Sequence, residues 1–124
     1  GRSDLSSSYG IDSVDNDFIT DASAIIVRKF TPLGIEVTIG GSVTKKSYEP
    51  LKYLAGLGAK AFETRKCTLS ISQLSSKTLF ENAVRQSLEF ERSWLYFKSS
   101  IHETHNNLDI KRRESLTQRL TSTD

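Results

Sequence analysis

The sequence predicts an α+β fold, in which a small sheet of three or four strands, mostly antiparallel, packs against a long C-terminal helix followed by a shorter basic helix. Three observations predict it. Short apolar segments with β-branched or alternating residues occur in the first part of the chain, several of them ending at Gly or Pro. Apolar residues at spacings of three and four recur after residue 78. After Gly58 the chain contains neither Gly nor Pro, which favours long regular elements there.

The first 21 residues are rich in Ser and Asp and have few apolar positions. Their five Asp residues against Arg2 give this stretch a net charge of −4, although the whole chain carries +2. Low hydrophobicity combined with high net charge is typical of segments that cannot bury enough apolar surface to fold. We therefore expect residues 1–21 to form a disordered or loosely docked acidic arm.

Residues 22–77 are expected to form a β-rich subdomain with one short helix. Residues 24–30 are a β-branched run, which predicts a strand, and the run stops at a Thr-Pro-Leu-Gly turn. Residues 35–39 alternate between apolar and polar, which is typical of a half-buried strand. The Gly-Gly dipeptide that follows favours a two-residue hairpin onto residues 42–46.

The short helix is predicted to begin near Glu49, because Pro50 is tolerated in a first turn. Gly56 weakens a helix interior and marks its expected end. Residues 67–72 then alternate again and predict a further strand. Cys67 lies on the apolar side of that strand, so it is expected to be a small buried side chain and not a reactive thiol.

Residues 78–124 are expected to form a C-terminal helical arm that packs on the sheet and extends beyond it. Thr78 and Glu81 have the spacing of a capping box. A helix reaching His105 would be about 40 Å long, whereas strands of five or six residues span about 15–20 Å. Asn106 and Asn107 favour a break before the shorter basic helix. One stripe along the long helix contains Phe80, Ala83, Ser87, Phe90, Trp94, Phe97 and Ile101.

The far end of this stripe predicts a binding surface for another protein or for a second copy of the chain. Aromatic residues and Arg are enriched among the residues that dominate binding energy at interfaces. Successive large aromatics are unusual in a parallel zipper, so an antiparallel or helix-on-sheet contact is favoured. The alternative is that the stripe is core of a single subunit. The predicted partner-binding residues are Phe90, Trp94, Phe97 and Ile101, with Arg112, Arg113 and Arg119 setting orientation.

Nucleic-acid binding is the alternative function, because basic residues are concentrated between residues 28 and 66. Tyr48 and Tyr53 in the same stretch would supply surfaces for base stacking. No RNP motif, KH loop or helix-turn-helix signature accompanies them. A structural component of a viral or ribonucleoprotein assembly would use both surfaces. The predicted basic residues are Arg28, Lys29, Lys45, Lys46, Lys52, Lys60, Arg65 and Lys66.

Motifs for other chemistry are sparse, and we expect no enzyme, metal site or cofactor. His102 and His105 are three residues apart but have no evident third ligand. The Arg-Arg-x-Ser sequence ending at Ser115 is a weak phosphorylation motif. One cysteine and no Asn-x-Ser/Thr acceptor favour a cytoplasmic or nuclear compartment. No apolar run approaches the roughly 20 residues that a membrane-spanning helix needs.

Overall fold

A computed structural model describes the backbone of residues 1–121 and the side chains of residues 1–116. The fold is α+β, as predicted, and clusters into two compact units, residues 1–91 and the residues from 92 onward. Short 3-10 turns precede α3 and α4 and follow α2. In chain order the elements are α1 (Arg2–Ser8), α2 (Asp17–Phe30), β1 (Thr38–Ile39), α3 (Tyr48–Gly56), β2 (Ala61–Glu63), β3 (Thr68–Ser70) and α4 (Lys77–Thr121).

Helix α2 occupies the segment for which a strand was predicted at residues 24–30. Asn16 caps it, its side chain accepting a hydrogen bond from the backbone N–H of Phe18 at 2.9 Å. Ile19, Ala24 and Val27 then lie on its buried face. The β-branched residues disfavour a helix by only a few tenths of a kcal/mol each, so the cap and the buried face together outweigh their preference.

The sheet has three strands, as predicted, but it is mixed and not mostly antiparallel. β1 is parallel to β2, with Ile39 opposite Phe62, and β2 is antiparallel to β3, with Phe62 opposite Leu69. The hairpin predicted at the Gly-Gly dipeptide is wrong. The chain after it instead passes through α3, and parallel strands require a crossover of this kind.

The N-terminal stretch has regular structure that its composition did not predict. Helix α1 and the first turns of α2 lie within residues 1–21. Arg2 is only 4% exposed, and its backbone N–H donates to the carbonyl of Gly40 at 3.3 Å. Gly41, with φ of 100°, allows this close approach, because a Cβ there would lie 2.7 Å from the backbone nitrogen of Ser3. The division of the chain at residues 21 and 77 stays a prediction.

The core of the first unit contains residues of α2, α3, the sheet and the start of α4. The ring of Phe80 is fully buried, with its centroid 5.4 Å from that of Phe62 and 5.5 Å from that of Tyr48. The Tyr48 hydroxyl donates to the carbonyl of Leu74 at 3.3 Å, which satisfies its only polar group. Helix α3 is confirmed close to the predicted bounds and ends at Gly56.

Helix α4 begins two residues earlier than the capping-box pattern predicted. Ser76, and not Thr78, accepts the hydrogen bond from the N–H of Leu79 with its side chain, at 3.2 Å. The helix continues through Asn106 and Asn107, so a separate shorter basic helix is not shown. Asn costs well under 1 kcal/mol against Ala in a helix interior, which is too little to end a helix by itself. Within the described residues, no helix has the length and apolar content needed to cross a membrane.

Candidate interaction surface

Four large apolar side chains in the second unit lie at helical spacing on α4 and are left uncovered. Trp94, Phe97, Ile101 and Leu108 are 43%, 57%, 39% and 59% exposed. The rings of Trp94 and Phe97 contact each other, with centroids 6.1 Å apart. We call these four side chains the apolar face. Such a concentration of exposed rings is typical of a binding surface, whereas single exposed apolar residues are ordinary.

Sequence reasoning missed Leu108 as a member of this face. It follows Ile101 by seven residues, which is two helical turns and places it on the same side. Because a break was expected at Asn106 and Asn107, Leu108 was placed in a separate helix and its spacing from Ile101 was not considered. In the structure α4 is continuous through this point, so the spacing applies.

Two hydroxyl side chains beside the apolar face form hydrogen bonds within the helix. The hydroxyl of Thr104 donates to the carbonyl of Ser100 at 2.9 Å. The hydroxyl of Ser100 in turn donates to the carbonyl of Phe97 at 2.8 Å. Both hydroxyls would therefore keep a hydrogen bond if a partner covered this side of the helix. The free-energy cost of burying an unsatisfied polar group would not arise for them.

The predicted basic partners lie beyond the apolar face on the same helix. Arg112 and Arg113 are exposed, and Arg112 follows Leu108 by four residues, one helical turn. Ser115, the predicted phosphorylation site, is half-buried and three residues after Arg112. The side chain of Arg119 lies outside the described residues.

Phe90 belongs to the first unit, where the predicted stripe changes from buried to exposed. Phe80, Ala83 and Ser87 are buried, and the Ser87 hydroxyl donates to the carbonyl of Ala83 at 2.8 Å. Phe90 is 55% exposed. The alternative interpretation, in which the stripe is core of a single subunit, therefore holds as far as Ser87 but does not account for Phe90.

The predicted basic residues are all exposed but lie on several different elements. One contact joins two of these elements, since a guanidinium nitrogen of Arg28 on α2 donates to the hydroxyl of Tyr53 on α3 at 2.9 Å. The Lys52 ammonium lies 5.4 Å from the centre of the Tyr48 ring. The remaining members are Lys29 near the end of α2, Lys45 and Lys46 before α3, Lys60 before β2, and Arg65 and Lys66 between β2 and β3.

Cys67 is half-buried, which differs from the buried position expected. It lines a shallow depression of about 260 Å³ together with Gln73, Gln86 and Ser87. The strand it was assigned to begins one residue later, at Thr68. Among the residues whose side chains are described, no group of three or more His, Cys, Asp or Glu is placed to hold a metal ion.

The fold and the surface together define the protein as an α+β chain whose C-terminal helix carries an uncovered apolar face. No protein-family model, no curated protein and no solved structure matches the chain. Its function is therefore inferred from its own residues and contacts.

Proposed function

We propose that the protein is a non-enzymatic protein–protein interaction module that binds through the apolar face of α4. The observation that supports this most directly is the pair of contacting rings, Trp94 and Phe97, each about half exposed on the helix. Trp and other aromatic residues dominate binding energy where they can be desolvated by a partner. Arg112 and Arg113, further along the helix, set orientation and raise the association rate.

The size of the apolar face sets the strength of binding it can provide. Burying a large apolar side chain completely is worth about 1.5–3 kcal/mol, and these four are already about half buried on the helix. Their remaining burial contributes about 3–6 kcal/mol in total. A micromolar complex needs about 8 kcal/mol, so the face of one chain does not supply enough by itself. The flanking basic residues are predicted to contribute to the remainder.

Replacing Trp94 and Ile101 together by Ala is expected to abolish association, because the change removes about half of the apolar face. The measurement is the molar mass by light scattering across a range of protein concentrations, together with recovery of any partner that co-purifies with the wild type. The matched control is Tyr96→Ala with Ile110→Ala, which removes an equivalent pair about 180–200° around the helix. A double variant that stays folded by circular dichroism and keeps the wild-type assembly would contradict the proposal.

A second candidate function, nucleic-acid binding, is favoured by the contact between Arg28 and Tyr53. The contact places a cation beside an aromatic ring that is 44% exposed. With Lys52, the residue before Tyr53 on α3, this surface offers charge for phosphates and a ring for stacking a base. The surface lies in the first unit, so it does not compete with the apolar face of the second for residues.

If this second function is correct, RNA or DNA will bind at low salt and dissociate steeply as salt rises. Arg28→Ala with Lys52→Ala should reduce the slope of log affinity against log salt by about 1 to 2, because up to two phosphate contacts are lost. Fluorescence anisotropy with labelled oligonucleotides measures this. Arg92→Ala with Lys98→Ala is the control, since it removes the same charge from α4. Absence of binding at low salt would exclude the function.

A further inference from the structure

The apolar face is graded along α4, with rings at one end and aliphatic side chains at the other. Trp94 and Phe97 supply the rings, and Ile101 and Leu108 supply the aliphatic groups. A surface of this kind is complementary to itself when it is reversed, because the bulky end of one copy then meets the smaller end of the other. A two-fold symmetric interface uses the same surface patch on both copies in this way.

We infer that the occupant of the apolar face is a second copy of this chain, lying antiparallel to the first. The inference rests on the interaction module proposed above and names its partner and orientation. It specifies one register, in which Phe97 of each copy lies opposite Leu108 of the other. By equal steps along the two helices, Trp94 then lies opposite Lys111, and Ile101 lies opposite Thr104.

Each of these three pairings is chemically matched. Phe97 against Leu108 is a ring packed on an aliphatic side chain. Thr104 already donates its hydroxyl to Ser100, so it turns no unmet hydrogen bond toward Ile101 and can contribute its methyl group. Lys111 lies along the Trp94 indole, where its stem packs and its ammonium is attracted to the ring face.

Charge disfavours the parallel alternative. In a parallel pair, with helix axes about 8–10 Å apart, Lys111 and Arg112 of one copy would lie beside the same residues of the other. Four positive charges would then be concentrated at one end of the contact. Trp94 would also lie opposite Trp94. The antiparallel pair separates the two basic clusters to opposite ends.

Charge also disfavours a slip of one heptad. Placing Phe97 opposite Ile101 moves the two-fold axis close to Lys98. The Lys98 side chains of the two copies then lie beside each other at the edge of the contact, where their like charges repel. The register with Phe97 opposite Leu108 instead leaves Lys98 closest to His105 of the second copy. In the register with Phe97 opposite Leu108, Glu114 of the second copy lies nearest to Ser93, whereas in the slipped register Asn107 does. Cross-linking can measure this difference.

Cysteine cross-linking on the full chain tests orientation and register together. In a Cys67→Ser background, Ser93→Cys and Glu114→Cys chains are mixed and treated with a short bis-maleimide. We expect a covalent dimer from the mixture and none from Ser93→Cys alone, because the two Ser93 positions would be about 30 Å apart. Trp94→Ala with Ile101→Ala in the same chains should abolish the cross-link.

Other outcomes overturn the inference and separate it from the proposed function. Linkage of Ser93→Cys to itself would show a parallel pair, and preferential linkage to Asn107→Cys would show the slipped register. Either result would exclude the antiparallel register inferred here but would remain consistent with the proposed interaction module. A chain that stays monomeric at all concentrations would exclude the second copy. Wild-type and Trp94→Ala/Ile101→Ala chains that behave identically in every binding measurement would exclude the module itself.

Discussion

Replacing Arg2 by Ala is expected to lower the free energy of unfolding by about 3–5 kcal/mol, the usual cost of removing one partner from a buried ion pair. The Arg2 guanidinium lies 3.1 Å from a carboxylate oxygen of Asp15. It also donates to the carbonyls of Gly40 at 3.2 Å and Gly41 at 3.0 Å. Asp15 accepts a further hydrogen bond from the hydroxyl of fully buried Ser47 at 3.0 Å.

The cost comes from the groups that lose their partner. Without Arg2, the largely buried carboxylate of Asp15 loses its counter-charge and the two glycine carbonyls lose side-chain donors. Burial lowers the pKa of Arg2 below its ordinary value, while the nearby charge and hydrogen bond of Asp15 act to raise it. The guanidinium remains charged at neutral pH, so its removal leaves an uncompensated negative charge. A loss of this size is a large fraction of the about 5–15 kcal/mol that holds a typical domain folded.

Urea unfolding followed by circular dichroism measures the effect. The control is Asp4→Ala, which removes an ion pair from the same helix but at an exposed site, 3.1 Å from the terminal amine of Gly1. Exposed pairs contribute little, so that variant should unfold at the wild-type midpoint. Arg2→Ala with Asp15→Ala should cost less than the two single changes added together. An Arg2→Ala midpoint indistinguishable from that of Asp4→Ala would contradict the assignment.

This cluster also shows why the N-terminal stretch could not be predicted from its composition. The carbonyl acceptors of Arg2 are 38 and 39 residues away along the chain. No local pattern encodes a partner at that separation, and a short acidic, Ser-rich segment looks the same whether or not it docks.

Local signals predicted some elements and failed for others for a physical reason. Helix α3, set by Pro50 and Gly56, was predictable because its start and stop lie within it. Helix α2 was missed because its cap, Asn16, lies in the stretch expected to be disordered. The parallel pairing of β1 with β2 depends on the path of the intervening chain. Neither strand carries that information in its own residues.

The candidate surface was predictable as far as helical spacing could reach. Phe97 and Ile101 were identified by their spacing alone, and both are exposed on α4. Leu108 was separated from them by an expected break that the structure does not have. The basic residues were grouped by closeness in sequence, and they lie on several elements, two of which are joined by the hydrogen bond between Arg28 and Tyr53. Periodicity within one helix predicts a shared face, whereas closeness along a folded chain does not.

Replacing Phe80 by Ala is expected to destabilise the first unit by about 3–5 kcal/mol, the usual cost of a large-to-small change at a fully buried aromatic. Phe80 contacts both the Phe62 and Tyr48 rings, which belong to the sheet and to α3. Its loss would leave a cavity where these two elements meet α4. Phe80→Leu keeps most of the volume and should cost much less.

Phe97→Ala is the matched comparison, since Phe97 belongs to the same predicted stripe but is 57% exposed. It should leave the urea midpoint nearly unchanged at low protein concentration, where association does not add to stability. At high concentration it should weaken association, whereas Phe80→Leu should not. The stripe would then have two roles. Its first part, around Phe80, would stabilise the fold of the subunit, and its later part, around Phe97, would bind another chain. Equal loss of stability in Phe80→Ala and Phe97→Ala at low concentration would show that Phe97 is also core, and the apolar face would lose one of its two rings.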